Sequence, residues 1–427
     1  MVLQKDNPVI WGYSNNVNDV IHIKINGAEV GHSTVQTTSE TGHSGVWQVK
    51  FSAPAGGYGP YTITAQSGSG SLTLRDVLFG DVWICSGQSN MEFFVNKVRF
   101  QNSMSLFSAV CWLYGKLLYQ HLNYPIGLVE SNYGGTRIEA WSSPDAMAAC
   151  PTTGKRATSR NDVSVLWNGM INPLLRNTIY GAIWYQGESN AGYYQQYSCQ
   201  FPAMISDWRQ KFNQASLQAT SNSFPFGWQR TEIKPFSTGM AGLRWAQTAN
   251  QGQVPNPKLQ NVFMAVGMDL PDFDSPYGTI HPRYKHTIAQ RLVLAGYAVA
   301  YNHRNVNYHG PFPSSYHYTN STHRIQIEFD HGTNPIEVRS NDGFDVCCAP
   351  PNHACSDHDR GWRISHILSH DTTHVYIDTS MCKQHGLTSI GGVRYAWRES
   401  PCPFQMCALY GVDNGLPTPP FIHSAAL

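Results

Sequence analysis

From Asp81 onward, short apolar runs alternate with stretches of helical period, and this alternation confines the chain to a parallel sheet covered by helices on both faces. Residues 82–85, 126–129, 183–185 and 262–268 read as strands. Phe107, Val110, Cys111, Tyr114, Leu117 and Leu118 recur at i, i+3 and i+4 and predict one helix, with others expected near 193–212 and 282–301. Ligands in open parallel sheets bind beyond the carboxyl ends of the strands, so the residues just after each strand are the candidates for chemistry.

The flanks read differently. Short strands at 9–13, 20–25, 45–51, 61–66 and 71–78, separated by Gly, Asn and Ser turns, predict an N-terminal β-sandwich. After Asn302 strand signals return at 325–329, 373–378 and 392–397, together with Cys347, Cys348, Cys355, Cys382, Cys402 and Cys407. A chain of 427 residues accommodates three units, taken as 1–78, 79–304 and 305–427.

Composition removes several function classes. Charged residues are only 13% against 41% hydrophobic, so burial offsets chain entropy and the chain folds. Lys and Arg (29) balance Asp and Glu (28), which leaves no electrostatic footprint for nucleic acid, although 18 histidines make the surface strongly cationic on acidification. There is no apolar run of the roughly 18 residues that a membrane span needs. The opening MVLQKDNPVIWGY has no continuous apolar core, so no signal peptide is expected within this chain. Ten cysteines and the sequon Asn320-Ser321-Thr322 nevertheless favour an oxidising location, lysosomal or secreted, with disulfides whose pairing the sequence does not reveal. Zinc ligation by His353, Cys355, His358 and Cys382 is the alternative for this cluster, but no repeated C-x-x-C spacing supports it, and no metal is expected.

Four strand ends carry reactive groups. The first, ending Cys85-Ser86-Gly87-Gln88-Ser89-Asn90, turns an exposed serine into a helix start. The second places Gly134-Gly135 where main-chain N–H groups can approach an oxyanion. The third offers the Gln186 amide as a donor and the Glu188 carboxylate, which either contacts a ligand or holds neighbouring loops. The fourth sets His281 before Pro282 at a helix start, where an imidazole can take a proton from Ser89 and return it to a leaving alcohol.

These stretches resemble the sialate O-acetylesterase family of the SGNH hydrolase superfamily. The matching text is GDVWICSGQSNM at 80–91, IGLVESNYGGTRIEAWSS at 126–143, WYQGESN at 184–190, VPNPK at 254–258 and SPYGTIHPRYK at 275–285, with MVLQ, RYAW and PPFI extending the likeness toward both termini. The resemblance implies a three-layer α/β/α SGNH-hydrolase-like parallel sheet, with an N-terminal β-sandwich and a C-terminal cysteine-rich β region. It implies Ser89 as nucleophile and His281 as general base and acid. The oxyanion hole it implies is formed by the Ser89 backbone, Gly134 or Gly135, and Gln186. The superfamily often has Asp three residues before this histidine, where Gly278 stands here, so Asp274, Asp272 or Asp269 orients His281 or a Ser–His dyad acts alone. Asp274 is taken as the triad acid.

By the same resemblance, Arg137 is expected to pair with a sialic acid carboxylate and Trp141 to pack on the sugar; Arg137 paired with Glu139 and a core Trp141 are the alternatives. Glu188 is taken as a further substrate contact. The implied substrates are O-acetylated sialic acids, 9-O-acetyl preferred, free or on glycans, with no cofactor. A polysaccharide acetyl esterase acting on acetylxylan, or an impaired glycan-binding relative, is the rival. Tyr133 stands where the family has Trp, and only residues 92–105 separate the nucleophile turn from the next helix where relatives carry more.

Overall fold

The computed structural model describes residues 1–40, 42–98, 106–151, 160–230, 239–303, 305–384, 387 and 389–427. The N-terminal strands are β1 (Val2–Gln4), β2 (Val9–Ser14), β3 (Val20–Ile25), β4 (Ala28–Thr34), β5 (Gln36–Thr37), β6 (Gly45–Lys50), β7 (Tyr61–Ser67) and the 18-residue β8 (Gly70–Gly87). Sheets β8-β7-β3-β4 and β2-β6-β5 face each other, and Ile21, Ile23, Ile25, Trp47, Val49, Ile63 and Val77 share one buried core between them, as expected of a sandwich.

β8 then leaves the sandwich and enters the parallel sheet, whose strand order is β9-β8-β10-β11-β12. Its second half pairs in parallel with β9 (Ile126–Asn132) on one side and β10 (Gly181–Tyr185) on the other, and β11 (Phe226–Arg230) and β12 (Val262–Val266) extend the sheet. Residue 78 lies inside this continuous strand, so the sandwich and the hydrolase layer share a backbone rather than a linker.

Strand alternation sorts the core. Val82 and Ile84 of β8 and Ala182 and Trp184 of β10 pack on one face, whereas Trp83, Cys85, Ile183 and Tyr185 pack on the other. The α-helices up to residue 299, in chain order, are α1 (Ser89–Glu92), α2 (Ala109–Leu122), α3 (Ile138–Trp141), α4 (Pro144–Ala149), α5 (Tyr194–Ala215), α6 (Met240–Ala246) and α7 (Lys285–Val299). Helix α5 covers the first face with Tyr197, Phe201, Met204, Trp208 and Phe212; α2 and α7 cover the second with Val110, Tyr114, Leu118, Ile288 and Leu292. Of the short segment between Ser89 and α2, residues 99–105 lie outside the described residues; its described ends zip together through Ala109 N–H to Phe93 O (2.8 Å) and Val95 N–H to Phe107 O (3.0 Å).

Two four-stranded antiparallel sheets follow, one built from Pro313–Thr319, Arg324–Phe329, His374–Asp378 and Ile367–His370, the other from Trp362–Ser365, Phe344–Ala349, Ser389–Tyr395 and Phe421–His423. All ten cysteines pair, as 85–111, 150–199, 347–355, 348–382 and 402–407. Cys355 and Cys382 are therefore not thiolates, which closes the zinc alternative built on them. This C-terminal unit also braces the hydrolase layer: Tyr410 Oη donates to Asp269 (3.0 Å), Gln405 N–H donates to the Asp269 carbonyl (2.7 Å), and Arg244 of α6 donates to the carbonyls of Arg398 and Glu399.

Gly87 closes β8 at a φ of +140°, and a Cβ there would meet the Tyr185 carbonyl oxygen at 2.2 Å. Gly87→Ala is expected to lower stability by about 2–4 kcal/mol through combined strain and overlap, read as a fall in the thermal midpoint.

Candidate active site

The positive φ at Gly87 turns the chain sharply, and Gln88 N–H then bonds to Tyr185 O (2.9 Å), which sets Ser89 at the first position of α1. Gln88 O accepts from the N–H groups of Met91 (2.8 Å) and Glu92 (3.0 Å). The N–H groups of Ser89 and Asn90 have no acceptor among the described residues, as the start of a helix dictates. Gly134 follows β9 and lies directly against this turn; a Cβ on it would stand 3.4 Å from Ser89 Cβ and 2.7 Å from Glu92 Oε2. A side chain at 134 would therefore touch the serine and displace the Glu92 carboxylate.

His281 belongs to the loop between β12 and α7. Its N–H bonds to Gly278 O (2.9 Å), its carbonyl accepts from Ser275 Oγ (2.8 Å), and its ring stacks on Phe93 at 6.4 Å. Nδ1 lies 2.8 Å from the Tyr277 carbonyl, and because a carbonyl only accepts, Nδ1 carries the proton and Nε2 the lone pair. Burial holds the imidazole below its ordinary pKa, and the cations of Lys285 and Lys97 push the same way against the Tyr277 hydrogen bond and the Glu92 charge.

One side chain joins the two halves. Asn90 Nδ2 donates to Ile280 O (3.0 Å) and to Glu188 Oε1 (2.9 Å), while its Oδ1 accepts from Lys285 Nζ (2.7 Å), itself 3.4 Å from Tyr185 Oη. Ser89 and His281 thus stand one residue to either side of the Asn90–Ile280 bond, although 192 positions separate them in the chain. Asn90 and Lys285 were not among the residues assigned roles from sequence. The available signal was Lys285 itself, a cation in phase with Ile288, Ala289 and Leu292 on the buried stripe of α7.

Other expected site residues lie elsewhere. Asp274 is exposed, and among the described residues no hydrogen bond or ion pair links it to His281; its carbonyl accepts from Arg283 (3.3 Å). The geometry corrects its assignment as triad acid, because the position on Nδ1 is occupied by the Tyr277 carbonyl. Asp272 is held by Nε and Nη2 of the Arg283 guanidinium (2.6 and 2.7 Å), and Asp269 by Arg291 (2.6 Å) and Tyr410 (3.0 Å), so neither reaches the ring. Gln186 is 0% exposed, and its amide hydrogens point at Asn190 Oδ1 (2.8 Å) and Thr136 O (3.0 Å), with Gln88 Oε1 at 3.3 Å. Its expected oxyanion role is therefore corrected: the amide locks the strand ends together and does not face the cleft.

Trp141 is likewise 0% exposed, packed edge-on against Trp184 at 5.8 Å and bonded through Nε1 to Thr136 Oγ1 (2.9 Å), so it is a core residue rather than a sugar platform. Glu188, 2% exposed, accepts from Asn90 and acts as the loop-holding carboxylate, not as a substrate contact. Arg137 does reach the rim. Its guanidinium lies 4.9 Å over the Tyr193 ring, and Glu139, its expected structural partner, instead accepts from Asn190 (2.9 Å). Gly135 is exposed beside Arg160, which in turn covers Tyr133 at 5.7 Å. Lys97 lies 5.3 Å over Tyr277. Three exposed tyrosines at three strand ends each carry a cation overhead.

The chain superposes on a carbohydrate acetylesterase from Xanthomonas citri with a TM-score of 0.78 at 27% identity over 99% of this chain and 96% of that one. Residues 110–276 match the family model described as "Carbohydrate esterase, sialic acid-specific acetylesterase", and residues 314–425 match the "Sialate O-acetylesterase C-terminal domain". The fold and these matches define the chain as a carbohydrate esterase of the α/β class. Over 99% of its length it is 37% identical to the sialate O-acetylesterase of Homo sapiens and 36% identical to that of Mus musculus, covering 90% and 92% of those proteins. The chain belongs to the sialate O-acetylesterase family, as its motifs implied.

Lys285→Met removes a cation that holds the His281 pKa down, so the acid limb of kcat/KM is expected to move to higher pH; Lys285→Arg should keep the limb nearer its original place. A purely structural lysine would change the height of that profile without moving the limb.

Proposed function

We propose that this chain is a serine esterase that hydrolyses O-acetyl esters of sialic acids to acetate and the free hydroxyl, using Ser89 and His281 as a dyad oriented by the Tyr277 carbonyl. The observation that carries the reading is the Asn90–Ile280 bond, which ties the nucleophile turn to a histidine whose Nε2 has the lone pair. In the first half-reaction Nε2 accepts the Ser89 proton as Oγ attacks the acetyl carbon. The oxyanion is met by the N–H groups of Ser89, Asn90 and Gly134, and collapse expels the sugar alkoxide, which takes the proton from Nε2. Water then attacks the acetyl-serine with the same base and releases acetate.

The tyrosine–cation rim supports an acidic sugar: ring faces suit the pyranose, and Arg137, together with Arg160 and Lys97, suits its carboxylate. We assign the 9-O-acetyl group as the preferred ester, a primary ester at the end of the sugar's side chain. Burial shifts the imidazole toward its unprotonated form, and five disulfides favour an oxidising compartment, so the proposed location is lysosomal or secreted.

Hydrolysis of a 9-O-acetyl sialoside by the wild type, and its loss in Ser89→Ala, is the expected result. Equal rates from the two proteins, or none from either, would overturn the proposal, and faster turnover of acetylxylan would favour a polysaccharide esterase. The dyad has its own signature: Asp274→Asn should leave kcat/KM within about threefold, whereas His281→Ala should lower it by about 10²–10⁴, the worth of a general base. A large loss in Asp274→Asn would restore the triad.

A further inference from the structure

The hairpin formed by β3 and β4 lies at the far edge of the N-terminal sheet, away from the strand end that carries Ser89. His22 and His32 are direct cross-strand partners in it, so both rings project from the same face, with centroids 5.6 Å apart. Glu29, in register with Lys24 beside a bulge, reaches between them: its Oε1 is 2.9 Å from His22 Nδ1 and 3.5 Å from His32 Nδ1. The three donor atoms lie within 4.8 Å of one another. Tetrahedral zinc with bonds of about 2.0–2.1 Å has ligand atoms about 3.3 Å apart, so small ring rotations bring this set to bonding distance.

We propose that His22, Glu29 and His32 form a surface site for a divalent transition metal, with Zn²⁺ the best-suited ion and water completing its shell. Two imidazoles and one carboxylate are a borderline donor set that selects zinc over calcium or magnesium. The side chains are 43%, 45% and 65% exposed for His22, Glu29 and His32, which leaves the fourth position open to solvent. Lys24, the neighbouring cation, sends Nζ to Gln66 Oε1 (3.1 Å) on β7 and does not occupy the Glu29 carboxylate. The metal would clasp β4, the edge strand of its sheet, to β3. The only other such grouping among the described residues, His353, Cys355 and Asp359, lacks a thiolate because Cys355 is in a disulfide. The proposal is independent of the hydrolase reading.

The test is calorimetric titration of chelator-stripped full chain with Zn²⁺, beside the His22→Ala and His32→Ala variants, whose exposed positions leave the fold intact by circular dichroism. The expected result is one zinc per wild-type chain at this site, at least tenfold weaker in either variant, with a zinc-dependent rise in thermal midpoint that the variants lack and that Ca²⁺ does not reproduce. Co²⁺ substitution should give the visible absorption of a four-coordinate site in the wild type alone. Equal zinc uptake and affinity in wild type and both variants would place the metal elsewhere among the 18 histidines and overturn the proposal, as would no uptake at all.

Discussion

The carboxamide of Asn90 makes three bonds, to the Ile280 carbonyl, to Glu188 and from Lys285, and the placement of the Ser89 turn beside the His281 loop depends on it. It is 0% exposed, as is Lys285, so neither can exchange these partners for water. An unmet polar group at this depth costs about 1–3 kcal/mol, more if charged, which gives the network a single stable arrangement. Ser89 therefore inherits its place relative to His281 from the buried neighbour next to it in the chain.

A second constraint is mechanical. β8 is one continuous strand from the sandwich to the Ser89 turn, flanked in parallel by β9 and β10 so that Gly87, Asn132 and Tyr185 end level with one another. The Cys85–Cys111 disulfide ties this strand to α2 just before the turn. On the far side, Asp269 at the root of the histidine loop is clamped by Arg291 of α7 and Tyr410 of the C-terminal unit, so that unit helps to hold the loop that carries His281 in place. The Ser89 turn and the His281 loop are thus both held by rigid elements, as precise positioning requires.

Electrostatics then divides labour between buried and exposed groups. The aspartates following β12 serve structure, each engaged by an arginine or exposed to water, and the imidazole takes its orientation from a main-chain carbonyl. A carbonyl fixes the tautomer as a carboxylate would, but carries no full charge, which agrees with a pKa held low rather than raised. The rim cations stay at the surface, where they can meet an anionic ligand without the cost of burial.

Local pattern was enough to read the alternating strands and helices, the sandwich, the cysteine-rich β region and the four strand ends that carry Ser89, Gly134, Gln186 and His281, because periodicity and turn residues act over a few positions. It missed β4, a polar edge strand, and β11, whose FGWQR text is short and mixed, since sheet membership there comes from neighbours rather than from the residues themselves. Motif spacing likewise singled out Gln186, Trp141, Glu188 and Asp274 by residue type, but direction and depth decided their roles: the first three point into the interior and the last into solvent. Which nitrogen of His281 keeps its lone pair, and that Asn90 and Lys285 stitch the two loops together, were set only by the tertiary structure, because hydrogen-bond partners almost two hundred residues apart leave no local trace in the chain.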